Sequence, residues 1–256
     1  MYQILAYLKY WFIQVDDHSL HSPFVFKLYQ EVIQKAPSKL NQTIEALRND
    51  LLKNEFEFEL QELGAGSRVN PSNKRKVKEI ARNASTPPAF SALLATLIDF
   101  LGYQHIIELG TSLGLNTLYL SQKEGVKVIT FEGDPILTKL ATDNFVKLKR
   151  SNIELVEGNL DDTLEDQLKR IESVDFAYID ANHRYEPSIR YFEALLAKCH
   201  EKSLIVLDDI HWSKEMNDAW HQIKKRPEVT VSIDLFEGGL LFFDPNLTKG
   251  DYVLKF

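Results

Sequence analysis

The chain has 256 residues, of which 44% are hydrophobic and 26% charged, and 30 Lys and Arg against 37 Asp and Glu give a formal net charge of −7. This composition excludes a mainly disordered chain, a collagen-like fibre and a disulfide-stapled scaffold, because Cys199 is the single cysteine. The acidic balance argues against a protein that grips nucleic acid over its whole surface. A lone cysteine suits a reducing compartment, so we expect a cytoplasmic protein.

The N-terminal stretch from Tyr2 to Val15 is strongly apolar, but Lys9 and Gln14 interrupt it and it is too short for a membrane span. It has no basic region before it and no cleavage site after it, so we expect no signal peptide. Helical spacing places five apolar side chains on one face: Ile4, Leu5, Leu8, Phe12 and Val15. We expect an amphipathic helix docked through this face. Attachment to a membrane surface is the alternative, and the helix also leaves a homodimer open.

Residues 1–85 have a polar, irregular and largely helical pattern, and we expect them to form a helical N-terminal extension. Within it, Glu62-Leu63-Gly64-Ala65-Gly66-Ser67 resembles a glycine-rich ligand loop, but Asn70-Pro71 interrupts any helix that should follow. We interpret it as a lid or substrate loop. The basic segment 68–82 is either the solvated face of a helix or a clamp for an acidic substrate or a cofactor carboxylate.

Residues 86–256 alternate short apolar runs with helical patterns and form the predicted main domain. Helices are predicted at 89–101, 115–122, 135–150, 160–171, 186–199 and 213–225, and strands at 105–109, 126–131, 153–156, 174–179, 203–207, 229–235 and 240–243. This order predicts an α/β, Rossmann-like, doubly wound sheet of seven mostly parallel strands that ends in an antiparallel hairpin. Ligands of such sheets bind outside the carboxyl ends of the strands.

The first two strand ends carry a glycine turn and an acid. Gly110 and Gly114 are spaced G-x-x-x-G, which differs from the G-x-G-x-x-G of dinucleotide folds and disfavours an NAD oxidoreductase. Glu132 ends the second strand, where a carboxylate can accept hydrogen bonds from both hydroxyls of a ribose. A tight turn without a ligand and an exposed glutamate are the alternatives.

The fourth and fifth strand ends carry Asp180, His183, Asp208, Asp209 and His211. Carboxylates packed closely repel each other unless they are protonated or bridged by a cation. Oxygen ligands suit Mg²⁺, so these ends predict a divalent metal, with solvated helix-capping acids as the alternative.

In this order, Glu108-x-Gly110-x-x-x-Gly114, Glu132, Asp180 and Asp208-Asp209 resemble the motifs of class I S-adenosylmethionine-dependent methyltransferases. The resemblance covers roughly residues 85–245 and is greatest to the catechol, caffeoyl-CoA and macrocin-type sugar O-methyltransferases. It implies a cofactor site in which Asn116 holds the methionine carboxylate, Glu132 binds the ribose, and Asn159 and Leu160 flank the adenine. The full implied set is Glu108, Gly110, Thr111, Gly114, Asn116, Glu132, Asn159, Leu160 and Asp180.

The resemblance implies methyl transfer to a hydroxyl of a small molecule, with Asp180 and His183 catalytic and a divalent metal on Asp180, Asp208 and Asp209. The catechol type has Asp-Asn where this chain has Asp208-Asp209, whereas the sugar enzymes have a tandem Asp. His183 matches the family's catalytic lysine only across a one-residue gap, and His211 is a second candidate base. Metal-independent N- or O-methylation is one alternative. Another is a non-catalytic module that binds an acidic partner or RNA through segment 68–82.

Overall fold

The computed structural model describes residues 2–61 and 73–256. The predicted loop Glu62–Ser67 and Arg68 of the basic segment lie outside the described residues. The chain divides into two compact units: one of residues 36–169, and one that combines the first 35 residues with residues 170–256. The predicted boundary at residue 85 stays a prediction.

The regular elements are numbered in chain order. The helices are α1 (Tyr2–Ile13), α2 (Pro23–Leu28), α3 (Gln42–Leu51), α4 (Val77–Asn83), α5 (Pro88–Leu101), α6 (Leu115–Leu120), α7 (Pro135–Lys147), α8 (Leu160–Lys169), α9 (Tyr185–Leu196) and α10 (Lys214–Ile223). The strands are β1 (Glu57–Glu59), β2 (Lys74–Lys76), β3 (His105–Leu109), β4 (Lys127–Glu132), β5 (Ile153–Glu157), β6 (Val174–Ile179), β7 (Cys199–Asp208), β8 (Val231–Asp234), β9 (Gly238–Phe242) and β10 (Gly250–Val253).

In the 36–169 unit, three parallel strands lie in the order β3-β4-β5. The apolar residues of β3 and β4 are buried, apart from the half-buried Ile129, as expected for strands covered by crossover helices. A second apolar cluster joins α3, α4, α6 and α7, with Ile44, Val77, Leu118 and Ala141 fully buried. β1 and β2 form a separate antiparallel pair.

In the other unit, five strands lie in the order β10-β8-β9-β7-β6. β6 and β7 are parallel, whereas β9 pairs antiparallel with both β7 and β8. The predicted C-terminal hairpin is therefore confirmed.

The α/β, Rossmann-like, mostly parallel architecture is confirmed, with corrections to its detail. The main sheet has eight strands rather than seven, because β10 adds to the edge by pairing with β8. β7 begins at Cys199, which pairs with Val174 next to a register irregularity in β6, so Cys199 lies in a strand and not in the predicted helix.

The docked face predicted for α1 is wrong. Ile4, Leu5, Leu8 and Phe12 are exposed, and the helix docks instead through Tyr10, the one buried residue of α1. The physical reason is that Tyr7 and Tyr10 pack their rings against Phe236, at centroid distances of 5.0 and 5.3 Å.

Across residues 2–61 and 73–256, no single helix combines the length and apolar character of a membrane span. The bent pair of α4 and α5 meets these criteria only when its two helices are counted together.

Candidate functional site

The turn after β3 is shaped by three residues in the left-handed region: Gly110 at φ 103°, Ser112 at φ 51° and Gly114 at φ 74°. Gly114 caps α6, and a Cβ atom there would lie 2.4 Å from Cε1 of Phe145 in α7. The amides of Gly110 and Thr111 both donate to the carbonyl of Phe131, which ties the turn to β4. The predicted glycines are therefore required by backbone conformation and by helix packing.

Glu108 is completely buried in β3, and both of its carboxylate oxygens are in use. Oε1 accepts from Nδ2 of Asn116 at 2.8 Å, and Oε2 accepts from the hydroxyls of Thr130, at 2.7 Å, and Thr117. Thr111 joins this network through a 2.6 Å contact between its hydroxyl and that of Thr130. These bonds fix the turn from beneath, so the structure gives Glu108 a positioning role, and direct contact with a cofactor stays a prediction.

Asn116 has one side-chain atom engaged and one free. Its Nδ2 donates to Glu108, which fixes the orientation of the amide, and its buried Oδ1 has no hydrogen-bond partner within the described ranges. An unpaired buried acceptor is costly and calls for a donor. Oδ1 therefore suits the ammonium of an amino acid, whereas a carboxylate, the group implied by the resemblance, would have to accept from the second N–H of Nδ2.

Glu132 lies at the end of β4, half-buried, with a carboxylate held by the backbone. The amide of Ser112 donates to Oε2 at 2.7 Å, and the amide of Asp134 donates to Oε1 at 2.9 Å. Burial raises the pKa of Glu132, although these amides counteract the shift. Because an ionised carboxylate has about four acceptor positions, each oxygen retains capacity for a further donor.

Asp134 connects this strand end to the N-terminal part of the same unit. Its Oδ1 caps α7 by accepting from Ile136 and Leu137, and its Oδ2 accepts from the amide of Gln61 at 2.7 Å. Gln61 directly precedes the glycine-rich segment, so the chain enters that segment beside the acidic end of β4.

Asn159 and Leu160 are half-buried at the start of α8. Oδ1 of Asn159 accepts from the amide of Asp161 at 3.1 Å, so its oxygen serves the helix start. Their predicted place beside an adenine stays a prediction.

The unit that contains residues 170–256 gathers the predicted acidic residues around His183. Nε2 of His183 lies 3.2 Å from Oδ1 of Asp180, and Nδ1 lies 3.8 Å from Oδ2 of Asp209. His183 at φ 45°, its neighbour Asn182 at φ 66° and Asp209 at φ 53° all adopt the left-handed conformation. Such strain in residues other than glycine persists where surrounding structure enforces it, and it often marks functional sites.

Electrostatics in this cluster favour bound protons. Burial raises the pKa of Asp208 well above its ordinary value, and the charges of Asp180 and Asp209 raise it further. Burial lowers the pKa of His183, but the hydrogen bond and charge of Asp180, together with Asp209, outweigh burial and raise it overall. In the absence of a bound cation, protonation therefore relieves the repulsion among these carboxylates.

The donor set only partly fits a metal. Three carboxylates suit Mg²⁺, and a cation would relieve their repulsion. However, within the described ranges no group of three or more His, Cys, Asp or Glu residues is arranged to hold a metal ion. The ligands would therefore have to rearrange around an ion.

His211 is committed to structure. Nε2 pairs with Oδ2 of Asp234 at 2.8 Å, Nδ1 lies 3.2 Å from Nδ2 of Asn217, and the ring stacks on Phe236. Because both nitrogens have partners, this geometry disfavours His211 as a second base.

The basic segment is only partly helical. Lys74–Lys76 form β2, and Arg75 is buried. Lys76 and Lys78 both pair with Glu55, so an acid within the unit already compensates part of this charge.

A family model described as a methyltransferase domain matches residues 107–210, a range that includes His183 and every predicted cofactor and metal residue. Residues 107–210 are thus similar to a methyltransferase domain. This match confirms the predicted resemblance to class I S-adenosylmethionine-dependent methyltransferases. No curated protein sequence matches the chain significantly.

Several solved structures similar to this chain are methyltransferases. An O-methyltransferase from Bacillus cereus in complex with SAH is 21% identical, with a TM-score of 0.54 over 62% of this chain and 82% of that one. TomG from Streptomyces achromogenes, an O-methyltransferase of tomaymycin synthesis in complex with SAM, is 18% identical, with a TM-score of 0.53 over 65% and 82%. SAH-bound PaMTH1 from Podospora anserina is 13% identical, with a TM-score of 0.56 over 82% and 97%. At these identities, the likeness shows a shared fold.

The sequence prediction missed the hydroxyl network beneath the glycine turn that follows β3. The available signal was Glu108 itself, because an acidic residue in a buried strand needs hydrogen-bond donors around it. Thr117 could have been found by its closeness in sequence, but Thr130 contacts Glu108 only through strand pairing.

Proposed function

We propose that this protein transfers a methyl group from S-adenosylmethionine to a hydroxyl of a small molecule. The observation that carries the proposal is Glu132, whose carboxylate is held by the Ser112 and Asp134 amides at the end of the strand next to the glycine turn. The fold shared with O-methyltransferases that bind SAM or SAH supports the same reaction class.

Within the 36–169 unit, the residues would hold the cofactor at two points. Glu132 would accept hydrogen bonds from the ribose diol, and Oδ1 of Asn116 would accept one from the ammonium of the methionine part. Methyl transfer from a sulfonium needs mainly alignment of the two reacting atoms, so holding the cofactor on both sides of its sulfonium is the main contribution of these residues.

His183 would accept the substrate proton at Nδ1. In its neutral form it donates Nε2–H to Asp180, which leaves Nδ1 as a buried nitrogen without a hydrogen-bond partner among the described residues. Asp180 thereby orients the base.

A divalent cation is the second part of the proposal. Asp180, Asp208 and Asp209 would hold it, and it would lower the pKa of the substrate hydroxyl. A cytoplasmic location belongs to the same proposal.

The direct test is transfer of labelled methyl from S-adenosylmethionine to a panel of phenols, catechols and sugars, with Mg²⁺ or with a chelator. We expect a labelled ether product with one acceptor class and its loss in chelator. Unchanged transfer in chelator would remove the metal and support the metal-independent alternative. Cofactor binding without transfer to any acceptor would instead favour the non-catalytic module.

The base is tested by His183→Gln. We expect turnover to fall by roughly 10²–10⁴-fold, with cofactor affinity unchanged, because general-base catalysis contributes about that much. The matched control is His105→Gln at the exposed start of β3, which should leave turnover intact. Unimpaired turnover in His183→Gln would exclude this role.

A further inference from the structure

Helix α1 carries an unusually large exposed apolar surface. Four of its side chains are more than half exposed: Phe12 at 76%, Ile4 at 67%, Leu5 at 61% and Trp11 at 56%. Four further large apolar side chains of the helix are also exposed: Tyr2, Tyr7, Leu8 and Ile13. Contiguous apolar patches beyond about 300–600 Å² are rare on monomers and mark interaction sites.

The helix is firmly attached at its C-terminal end. The hydroxyl of Tyr10 donates to the carbonyl of Leu254 at 2.5 Å. Val15 pairs with the last strand region, since its amide donates to Val253 at 2.9 Å and its carbonyl accepts from Lys255 at 3.1 Å. These bonds hold the apolar surface in a fixed orientation, so it is presented by an anchored helix.

We propose that this surface is the homodimer interface, in which α1 pairs with α1 of a second copy. Aromatic side chains bury roughly 150–250 Å² each, and large aliphatic side chains somewhat less. Five exposed side chains share one face of the helix at about 100° per residue: Ile4, Leu5, Leu8, Trp11 and Phe12. Together they offer on the order of 500 Å² per copy, so that two copies would bury about 1,000 Å² in total, the size that a biological interface should reach. The area is therefore sufficient for a stable symmetric pair.

Charge and composition favour a second copy over a lipid surface. Lys9 is the sole charged residue of α1, whereas helices that lie on membranes usually carry a polar face rich in Lys and Arg. The net charge of −7 also disfavours an anionic bilayer. Tyr, Trp and Phe are enriched in interface cores and charged residues are depleted there, as in α1. Because α1 contains one Lys and no acidic residue, two copies of the helix can pack together without burying carboxylates against each other.

The interface is tested by measuring the mass of the full chain in solution by light scattering and sedimentation. We expect twice 29.5 kDa for the wild type and the monomer mass for Leu5→Glu and Phe12→Glu separately. Val146→Glu is the matched control, because Val146 is 71% exposed but lies on α7. Circular dichroism and thermal unfolding establish that each variant is folded.

A cysteine introduced at the middle of α1 gives a readout that does not depend on disruptive variants. In an antiparallel pair of α1 helices, the twofold axis passes near the middle of each helix. Leu8 lies at the middle of the 12-residue α1, so the two copies of this residue would lie close together. Leu8→Cys should form a disulfide-linked dimer on mild oxidation, whereas the wild type, with half-buried Cys199, should not.

Three results would overturn the proposal. They are a monomeric wild type at every concentration tested, a dimer mass unchanged by both α1 substitutions, and binding to phospholipid vesicles that Leu5→Glu and Phe12→Glu abolish in a monomeric protein. The last result would assign the surface to a membrane.

Discussion

Asn116 shows how one buried hydrogen bond can assign a binding role. Its Nδ2 donates to Glu108, which fixes the orientation of the amide, and the unpaired Oδ1 is a hydrogen-bond acceptor. We expect Asn116→Leu to weaken binding of S-adenosylhomocysteine roughly 10–100-fold, since a hydrogen bond to a charged group contributes about 1.5–3 kcal/mol. Calorimetric titration of wild type and variant measures this change.

The ligand 5′-methylthioadenosine lacks the amino-acid part and is the internal control for this prediction. Its affinity should be the same for wild type and Asn116→Leu, provided that thermal unfolding shows both to be folded. Equal weakening of both ligands would mean that Asn116 acts only through the shape of the turn.

Tyr10 couples the docking of α1 to pH. Burial, followed by the charge of Asp234, raises the pKa of Tyr10 above its ordinary value of 10.0. The stability that Tyr10 contributes is therefore complete below about pH 10 and is lost as the pH rises further, because the unfolded chain ionises first. We expect Tyr10→Phe to cost about 1 kcal/mol at pH 7 and less above pH 10. Urea unfolding from pH 7 to 11 measures the difference, and a constant difference across this range would contradict the explanation.

At the residue scale, the sequence predicted which residues lie close together wherever their positions follow from the order of the strands. Asp180, Asp208 and Asp209 could be predicted as neighbours because parallel strands bring their carboxyl ends to one edge. The partner atoms could not be predicted. That Nε2 of His183 faces Asp180 depends on left-handed backbone at Asn182 and His183, which sequence periodicity does not encode.

At the scale of elements, the turn from β3 to α6 depends on Gly114 in two separable ways. Gly114→Ala introduces both a left-handed alanine and a clash with Phe145. We expect a loss of roughly 2–4 kcal/mol in unfolding free energy, the sum of about 1 kcal/mol for the conformation and 1–3 kcal/mol for overpacking.

Gly102→Ala is the matched control for the turn. Gly102 has a similar φ of 77°, but an added Cβ would meet nothing within 4 Å, so its loss should be only about 1 kcal/mol. Chemical denaturation of both variants separates the two contributions. Equal losses would show that the contact with Phe145 is unimportant.

Helix α1 shows why an amphipathic pattern was misleading. The spacing of Ile4, Leu5, Leu8 and Phe12 correctly predicted a helix, but nearly every position of α1 is apolar. Periodicity therefore could not select the buried face, and aromatic contacts with Phe236, more than 200 residues away, determine the docking. β10 was missed for a related reason, since its sequence Gly-Asp-Tyr-Val lacks the apolar run of the predicted strands, and it forms through backbone pairing with β8.

At the scale of the whole molecule, the alternation of apolar runs and helical patterns was sufficient to predict a mostly parallel α/β sheet. Helices and strands of this length leave few other topologies. Segment 62–72 lies outside the described residues, and neither its fold nor its suggested role as a lid follows from the rest of the chain. The acceptor likewise depends on side chains for which the sequence provides no recognisable pattern.

The central proposal, that this protein binds S-adenosylmethionine and uses it, is tested most directly by calorimetric titration of the full chain with S-adenosylhomocysteine. We expect saturable binding at one site, weakened roughly 10–100-fold by Glu132→Gln, because the new amide would face backbone N–H groups and lose an acceptor for the ribose. Glu157→Gln, at the exposed end of β5, is the control and should bind like the wild type. Absence of binding to the wild type, with no thermal shift on adding the ligand, would contradict the account.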